Sequence, residues 1–159
     1  MPSHLMRVSL AIVAILLIAG CATTVQHAGV ATAPSVRSSS VSAPPSGMAR
    51  IVVLRDARVL GAAIGIRVSD SGREIGTIGP GGILEWDRAG GVVVIGASAS
   101  NESNITLQAD SGAVYFLETR TNWGAGFNSA AAELKLLSVE AGEALYAKLQ
   151  VRRQARTDR

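Results

Sequence analysis

The chain is poor in the residues from which most catalytic and metal centres are built. Its 159 residues include one cysteine, Cys21, so no disulfide can form within the chain. The two histidines, His4 and His27, both lie ahead of the segment that we predict to fold. A domain without histidine cannot contain a Ser-His or Cys-His nucleophile pair, or a histidine metal site. We therefore predict no cofactor, no metal and no enzyme built on these groups.

A strong positive charge is also lacking over most of the chain, although the calculated pI is about 9.6. Residues 49–151 contain nine basic and eleven acidic side chains. The positive surplus lies elsewhere, chiefly in the four arginines of residues 152–159. Because no basic face is visible, we predict no nucleic-acid partner.

No apolar run in the chain is long enough to predict a permanent transmembrane helix. The most apolar run, residues 8–18, is about half as long as such a helix requires. Arg7 precedes this run and small residues follow it, which is the pattern of a cleaved bacterial export signal. We therefore predict a signal peptide over residues 1–20.

The cysteine that follows this signal makes the prediction more specific. The run Ile18-Ala19-Gly20-Cys21 resembles the lipobox of bacterial lipoproteins. The resemblance implies that the Cys21 thiol carries lipid, such as palmitate, and anchors the mature chain to a membrane. By the same resemblance, Ala22 directly after the cysteine implies sorting to the outer membrane, facing the periplasm. The alternative is an ordinary secreted protein in which Cys21 is an unmodified thiol.

Composition divides the remaining chain into a tether, a domain and a tail. Residues 21–48 are rich in Ala, Thr, Ser, Val and Pro and lack aromatics, so we predict a flexible tether there. Residues 49–151 carry strand-like and helix-like patterns and are the predicted domain. Residues 152–159 are predicted to be a basic disordered tail.

Eight short segments with strand-like patterns, separated by turn residues, fill most of this domain. They predict an all-β fold, an antiparallel sandwich of about eight strands similar to immunoglobulin-like and PEGA-like domains. Asp70-Ser71-Gly72-Arg73 predicts a hairpin turn within it. The predicted core consists of Ile51, Val53, Ile64, Ile66, Val68, Leu84, Trp86, Val92, Val94, Leu107, Tyr115, Leu117, Leu134 and Leu136.

One helix is predicted at the C-terminal end of the domain. Ser138 is a suitable N-cap, and Leu145 and Leu149 are four residues apart and so share a helix face. We expect this face, together with Ala141, to pack on a sheet. Gly142 opposes the helix by about 1 kcal/mol relative to alanine.

Two pairs of residues are candidates for a functional site. Glu85 and Asp87 project from the same face of one strand, and two carboxylates can perform acid–base chemistry or bind a cation. A solvated strand face explains them equally well. Trp123 and Phe127 lie on a glycine-rich loop, residues 121–130, which suits a partner contact. The alternative is that both rings fold back and plug one end of the sandwich.

The layout of the chain resembles a bacterial lipoprotein family, domain of unknown function 2846, whose members carry a lipobox, a short tether and a small β-sandwich. The resemblance covers residues 49–149 and is carried by the strand at 49–55, the hairpin at 66–78, the strand at 79–86, the Gly90-Gly91 turn into Val92-Val93-Val94-Ile95, Ala113-Val114-Tyr115-Phe116 and Glu133-Leu134-Lys135-Leu136 before the helix. The resemblance supplies no catalytic residue. The predicted anchor, the tether and the lack of a catalytic constellation favour a membrane-anchored, non-enzymatic binding or structural module. Its partner would be an envelope protein, peptidoglycan or lipid. The alternative function is a small ligand carrier or hydrolase that uses Glu85 and Asp87.

Overall fold

The computed structural model describes residues 40–57, 63–123 and 130–157. These residues form eight strands followed by one helix, which confirms the predicted sandwich with a C-terminal helix. The elements are β1 (Met48–Leu54), β2 (Ile66–Asp70), β3 (Arg73–Ile78), β4 (Ile83–Ala89), β5 (Gly91–Ser98), β6 (Glu102–Ala109), β7 (Val114–Trp123), β8 (Ala130–Leu136) and α1 (Val139–Thr157). Within the described ranges, no helix is long and apolar enough to cross a membrane.

The strands form two four-stranded sheets that pack face to face around an apolar interior. Their order is β4-β1-β7-β8 in the first sheet and β3-β2-β5-β6 in the second. All neighbouring strands are antiparallel except β1 and β7, which run parallel with Ile51 opposite Tyr115. The sandwich is therefore antiparallel apart from one central pair in the first sheet.

β2 and β3 form the predicted hairpin, closed by a two-residue turn. Ser71 and Gly72 both have positive φ angles, 50° and 82°. This is the geometry of a type I′ turn, whose twist matches that of the paired strands. Asp70, just before the turn, accepts hydrogen bonds from Trp86 Nε1 (2.9 Å) and Arg88 Nη1 (3.1 Å). The hairpin is thereby tied to β4 of the other sheet.

The interior core lies between the two sheets, and the predicted core residues of every strand except β5 belong to it or pack against it. Ile64, which we also predicted to be in the core, precedes β2, is only partly buried and is not part of this core. Val92 and Val94, which we predicted to be buried, are 62 % and 40 % exposed. The buried side chains of this strand are instead Val93, Ile95 and Ala97. The prediction for β5 is wrong because residues 92–95 are uniformly apolar, so no alternation distinguishes the two faces. Pairing with β2 and β6 decides which face is buried.

Side chains at the β5–β6 turn close one side of the sandwich. Asn101 Nδ2 donates to the carbonyl of Ala132 on β8 (3.1 Å), and Asn101 Oδ1 accepts from the Ala132 N–H (2.5 Å). Ser103 Oγ accepts from the N–H of Leu134 (3.1 Å). These bonds occupy backbone groups of β8 that an edge strand would otherwise leave open to pairing with another chain.

Helix α1 covers the outer face of the first sheet and forms a second apolar cluster there. The buried members of this helix-facing core are Val41, Val52, Leu54, Val114, Phe116 and Leu149. Leu145 packs against it, as predicted, whereas Ala141 is exposed. Gly142 is buried instead, and a Cβ there would lie 2.6 Å from Phe116 Cδ2 and closer still to Cγ and Cβ. Glycine thus allows the helix to approach the Phe116 ring.

The folded domain begins earlier than the sequence predicted. Val41 is buried in the helix-facing core, and the N–H of Ser40 donates to Glu143 Oε1 (3.3 Å). The tether predicted over residues 21–48 is therefore wrong for residues 40–48, and its remaining part lies outside the described residues. A single buried valine among serines and prolines is too weak a pattern to reveal this attachment.

Helix α1 continues to Thr157, through residues that we predicted to be a disordered tail. Residues 152–157 are exposed, so no apolar pattern marks them as helical. Arg, Gln and Ala have high helix propensity, and a helix that is already nucleated extends through them without burial. Arg156, in the last turn, also lies near the negative end of the helix dipole. Residues 158–159 lie outside the described ranges.

Candidate functional site

Glu85 and Asp87 lie on the same outer face of β4, as predicted. The register places Glu85 opposite Val52 and Asp87 opposite Arg50 on β1. Glu85 is exposed, whereas Arg50 holds Asp87 in a two-bond ion pair, with Nε to Oδ1 at 2.7 Å and Nη2 to Oδ2 at 2.8 Å. The structure therefore joins Asp87 to an arginine rather than to the second carboxylate.

The Arg50 guanidinium stabilises the ionised form of Asp87. Its hydrogen bonds lower the pKa of Asp87, and the bond to Asp87 raises the pKa of Arg50. Asp87 therefore stays ionised to a lower pH than an ordinary aspartate, and near neutral pH it has no proton to donate as a general acid. The geometry suits a structural ion pair better than an acid–base pair.

Arg50 is the residue of this face that sequence reasoning missed. Its Nη1 also donates to the carbonyl of Ser42 (2.9 Å) and to the Ser42 hydroxyl (2.5 Å). One side chain thus joins β1, β4 and the chain that enters the domain, a forked arrangement for which the guanidinium is suited. The sequence shows only that Arg50 shares a strand face with Val52, and the register of β1 with β4 identifies its partner.

The predicted contact loop over residues 121–130 is shorter than expected. β7 extends to Trp123 and β8 begins at Ala130, and these two residues are paired in the register. Trp123 therefore ends a strand, and Phe127 lies outside the described residues. A partner contact through Trp123 and Phe127 stays a prediction.

A buried arginine, Arg55, fastens the chain near the end of β1. Its Nη1 donates to the carbonyls of Ile64 (2.5 Å) and Ile78 (2.9 Å), and its Nη2 donates to Thr121 Oγ1 (2.8 Å). Burial lowers the pKa of Arg55, since the charged form loses solvation there. The carbonyl acceptors offset part of that cost, so we assign Arg55 a structural role that the sequence did not reveal.

Asp56 connects the chain after β1 to helix α1. Lys148 Nζ lies 3.0 Å from Asp56 Oδ2, and Arg152 Nη1 lies 3.9 Å from Oδ1. Burial acts to raise the pKa of Asp56, but hydrogen bonds from Lys148 and the Ala57 N–H outweigh it, so the pKa is lowered. A neighbouring ion pair on β7 joins Glu118 to Arg120 at 2.6 Å.

The contacts described above are structural: they join strands to one another, to the entering chain and to helix α1. In the part of the chain that the structure describes, no group of three or more His, Cys, Asp or Glu side chains is arranged to hold a metal ion. Comparison with known protein families, curated proteins and solved structures finds no match to this chain. The resemblance to the lipoprotein family stays a prediction, and function is inferred from the residues and their geometry.

Proposed function

We propose that this protein is a lipoprotein of the bacterial cell envelope, anchored through Cys21, whose sandwich is a non-enzymatic contact module. The partner class is an envelope protein or peptidoglycan. The observation that carries the proposal is the run Ile18-Ala19-Gly20-Cys21 at the end of an export-signal pattern. Two or three acyl chains on one cysteine make anchoring stable, whereas a single chain binds a bilayer only marginally.

The junction between the anchor side and the domain supports this proposal. Val41 is buried under helix α1, and Arg50 binds Ser42 and Asp87 together. A domain that is held through its N-terminal chain benefits from such a joint, because load on the anchor reaches the sandwich through defined contacts. The alternative of a carrier or hydrolase using Glu85 and Asp87 is less well supported, since both carboxylate oxygens of Asp87 already accept hydrogen bonds from Arg50.

The anchor is tested by growing cells with labelled fatty acid and comparing the wild type with Cys21→Ala. We expect label and membrane association in the wild type, and loss of both in Cys21→Ala. Thr24→Ala is the matched control, since it changes the same segment and leaves the lipobox-like run intact. Equal labelling of Cys21→Ala, or its unchanged fractionation with membranes, would contradict the anchor.

The contact surface is tested with photocrosslinking probes at two exposed positions. Asn122 lies near the end of β7, beside the predicted contact pair, and Thr157 ends helix α1. We expect the Asn122 probe to capture an envelope protein, or to attach the protein to purified peptidoglycan. Capture from the Thr157 probe alone would show that the Trp123–Phe127 loop is not the contact.

A further inference from the structure

The last three turns of helix α1 form a strongly basic surface. Lys148, Arg152, Arg153 and Arg156 lie within residues 148–157, which contain no acidic residue. We call these four side chains the basic helix end. All four residues are exposed. Arg153 and Arg156 are on the same side of the helix as the buried Leu149, so their exposure shows that this part of the helix extends past the cover of the sheet.

The charge of the basic helix end contrasts with that of the rest of the molecule. The other described residues, 40–57, 63–123 and 130–147, contain eleven acidic and seven basic side chains. Asp56 offsets part of the charge of Lys148 and Arg152. Arg153 and Arg156 have no ion-pair partner among the described residues. The rest of the described molecule is thus net acidic, and one end of the helix is net basic.

The positions of these arginines place them on one side of the helix. Arg152, Arg153 and Arg156 are three, four and seven residues after Leu149, the spacing of a single helical stripe. Leu149 is fully buried against the sheet, whereas the stripe beyond it is exposed. The side of the helix that packs on the sheet at Leu149 therefore carries guanidinium groups beyond the sheet. These groups can contact a flat surface together.

The membrane that holds the anchor is within covalent reach of this surface. Ser40, which is 19 residues after Cys21 in the chain, contacts Glu143 of the same helix. From Glu143 to Arg156 the helix rises about 20 Å, whereas a chain of 19 residues spans at most about 65 Å. An anchor at Cys21 therefore keeps the basic helix end close to the lipid headgroups at high local concentration.

We propose that the basic helix end docks on the anionic phospholipid headgroups of the membrane to which Cys21 is anchored. The inference rests on the proposed lipid anchor and adds a second, electrostatic contact with the same bilayer. Each basic residue near an anionic bilayer strengthens binding by about fivefold. Docking on one stripe would hold the sandwich in one orientation and leave its other surfaces to the envelope partner.

The test uses the complete lipidated protein in vesicles of phosphatidylcholine, with or without phosphatidylglycerol. With Cys21 acylated, Gln154→Cys supplies a single free thiol on the helix end for a fluorophore, and Val92→Cys supplies a control on the outer face of the second sheet. Energy transfer to a headgroup-bound acceptor should rise with phosphatidylglycerol for Gln154→Cys only. Raised salt should reverse the rise.

Charge variants distinguish a specific surface from a general charge effect. In the Gln154→Cys protein, Arg153→Gln with Arg156→Gln should lower the ratio of docked to undocked molecules about 25-fold, from two charges at about fivefold each. The matched control is Arg73→Gln with Lys135→Gln, which removes two exposed cations that have no ion pair among the described residues. This control should leave the ratio unchanged.

Three results would overturn the inference. Equal energy transfer on vesicles with and without phosphatidylglycerol would show that the helix end does not bind anionic lipid. An equal decrease of the docked-to-undocked ratio in both double variants would show the same. A probe at Thr157 that captures an acidic protein in cells, without any lipid dependence in vesicles, would assign the surface to a protein instead. In each case fatty acid on Cys21 would leave the proposed function standing, whereas its absence would overturn both.

Discussion

Replacing Gly142 with alanine should destabilise the protein, although alanine is the better helix former. At an exposed position in a helix interior, glycine costs about 1 kcal/mol relative to alanine. At Gly142 the added methyl would overlap Phe116, whose Cδ2 lies 2.6 Å from the position of the new Cβ. The ring is fully buried, and its nearest atoms include Cβ and Cγ, which adjoin the strand backbone and cannot swing aside.

The magnitude follows from two opposing contributions. Overpacking in a well-filled core costs about 1–3 kcal/mol. Relief by lifting the helix would expose Leu149, whose burial contributes about 1.5–3 kcal/mol. Neither the Phe116 ring nor helix α1 can move without a substantial loss of free energy. We therefore take the upper part of the overpacking range and subtract the gain in helix propensity from glycine to alanine. We expect a net loss of about 1–2 kcal/mol in the free energy of unfolding.

Urea unfolding monitored by circular dichroism and tryptophan fluorescence measures this difference. Ala144→Gly, at an exposed position of the same helix, is the control and should lose about 1 kcal/mol by propensity alone. Phe116→Ala should cost about 3–5 kcal/mol. In that background Gly142→Ala should become stabilising, since the methyl can enter the vacated space. If Gly142→Ala alone stabilises the protein by as much as the propensity difference, the argued contact does not exist.

Three further predictions test the other contacts by stability measurements. Val93→Asp should cost more than about 3 kcal/mol by burying an unpaired charge, whereas Val92→Asp should stay within about 0.5 kcal/mol; equal losses on urea unfolding would mean that the face of β5 is misassigned. Because Arg50 lowers the pKa of Asp87 in the folded state, the pair stabilises the fold above about pH 4 and this contribution is lost as the pH falls through the lowered pKa. The melting temperatures of the wild type and Asp87→Asn should therefore converge in strong acid, and a constant difference down to the lowest pH would count against the ion pair. Asn101→Ala removes two hydrogen bonds to β8 and should cost about 1–2 kcal/mol, with faster hydrogen exchange at that edge; unchanged exchange would show that the side chain does not protect the strand.

Local patterns in the sequence predicted the strands and the helix, because strand pattern, turn chemistry and helix spacing each depend on only a few neighbouring residues. Ser71-Gly72 has the turn chemistry that a type I′ hairpin needs, and the structure shows positive φ at both residues. Prediction failed where the pattern is uniform or sparse. The apolar run of β5 does not distinguish Val92 from Val93, and the segment around Val41 carries no periodicity.

The candidate site could be predicted only in part. The alternation in β4 was sufficient to place Glu85 and Asp87 on one outer face, and the register agrees. The alternation did not reveal that Asp87 forms an ion pair with Arg50, because the two residues are 37 apart in the chain. Similarly, helix propensity alone makes Gly142 unfavourable. Its close contact with Phe116 explains why glycine stands at this position.

The sequence by itself determined the number and kind of elements, the lack of a disulfide and of histidine in the domain, and the export-signal pattern that ends at Cys21. These properties depend on composition and on short-range periodicity, which the chain carries in order. Only the tertiary structure decided that β1 and β7 run parallel, that Arg50 binds Asp87, and that the sheet leaves the arginines after Leu149 exposed. Each of these depends on which distant segments pair, or on where the sheet stops covering the helix, and no local pattern encodes either.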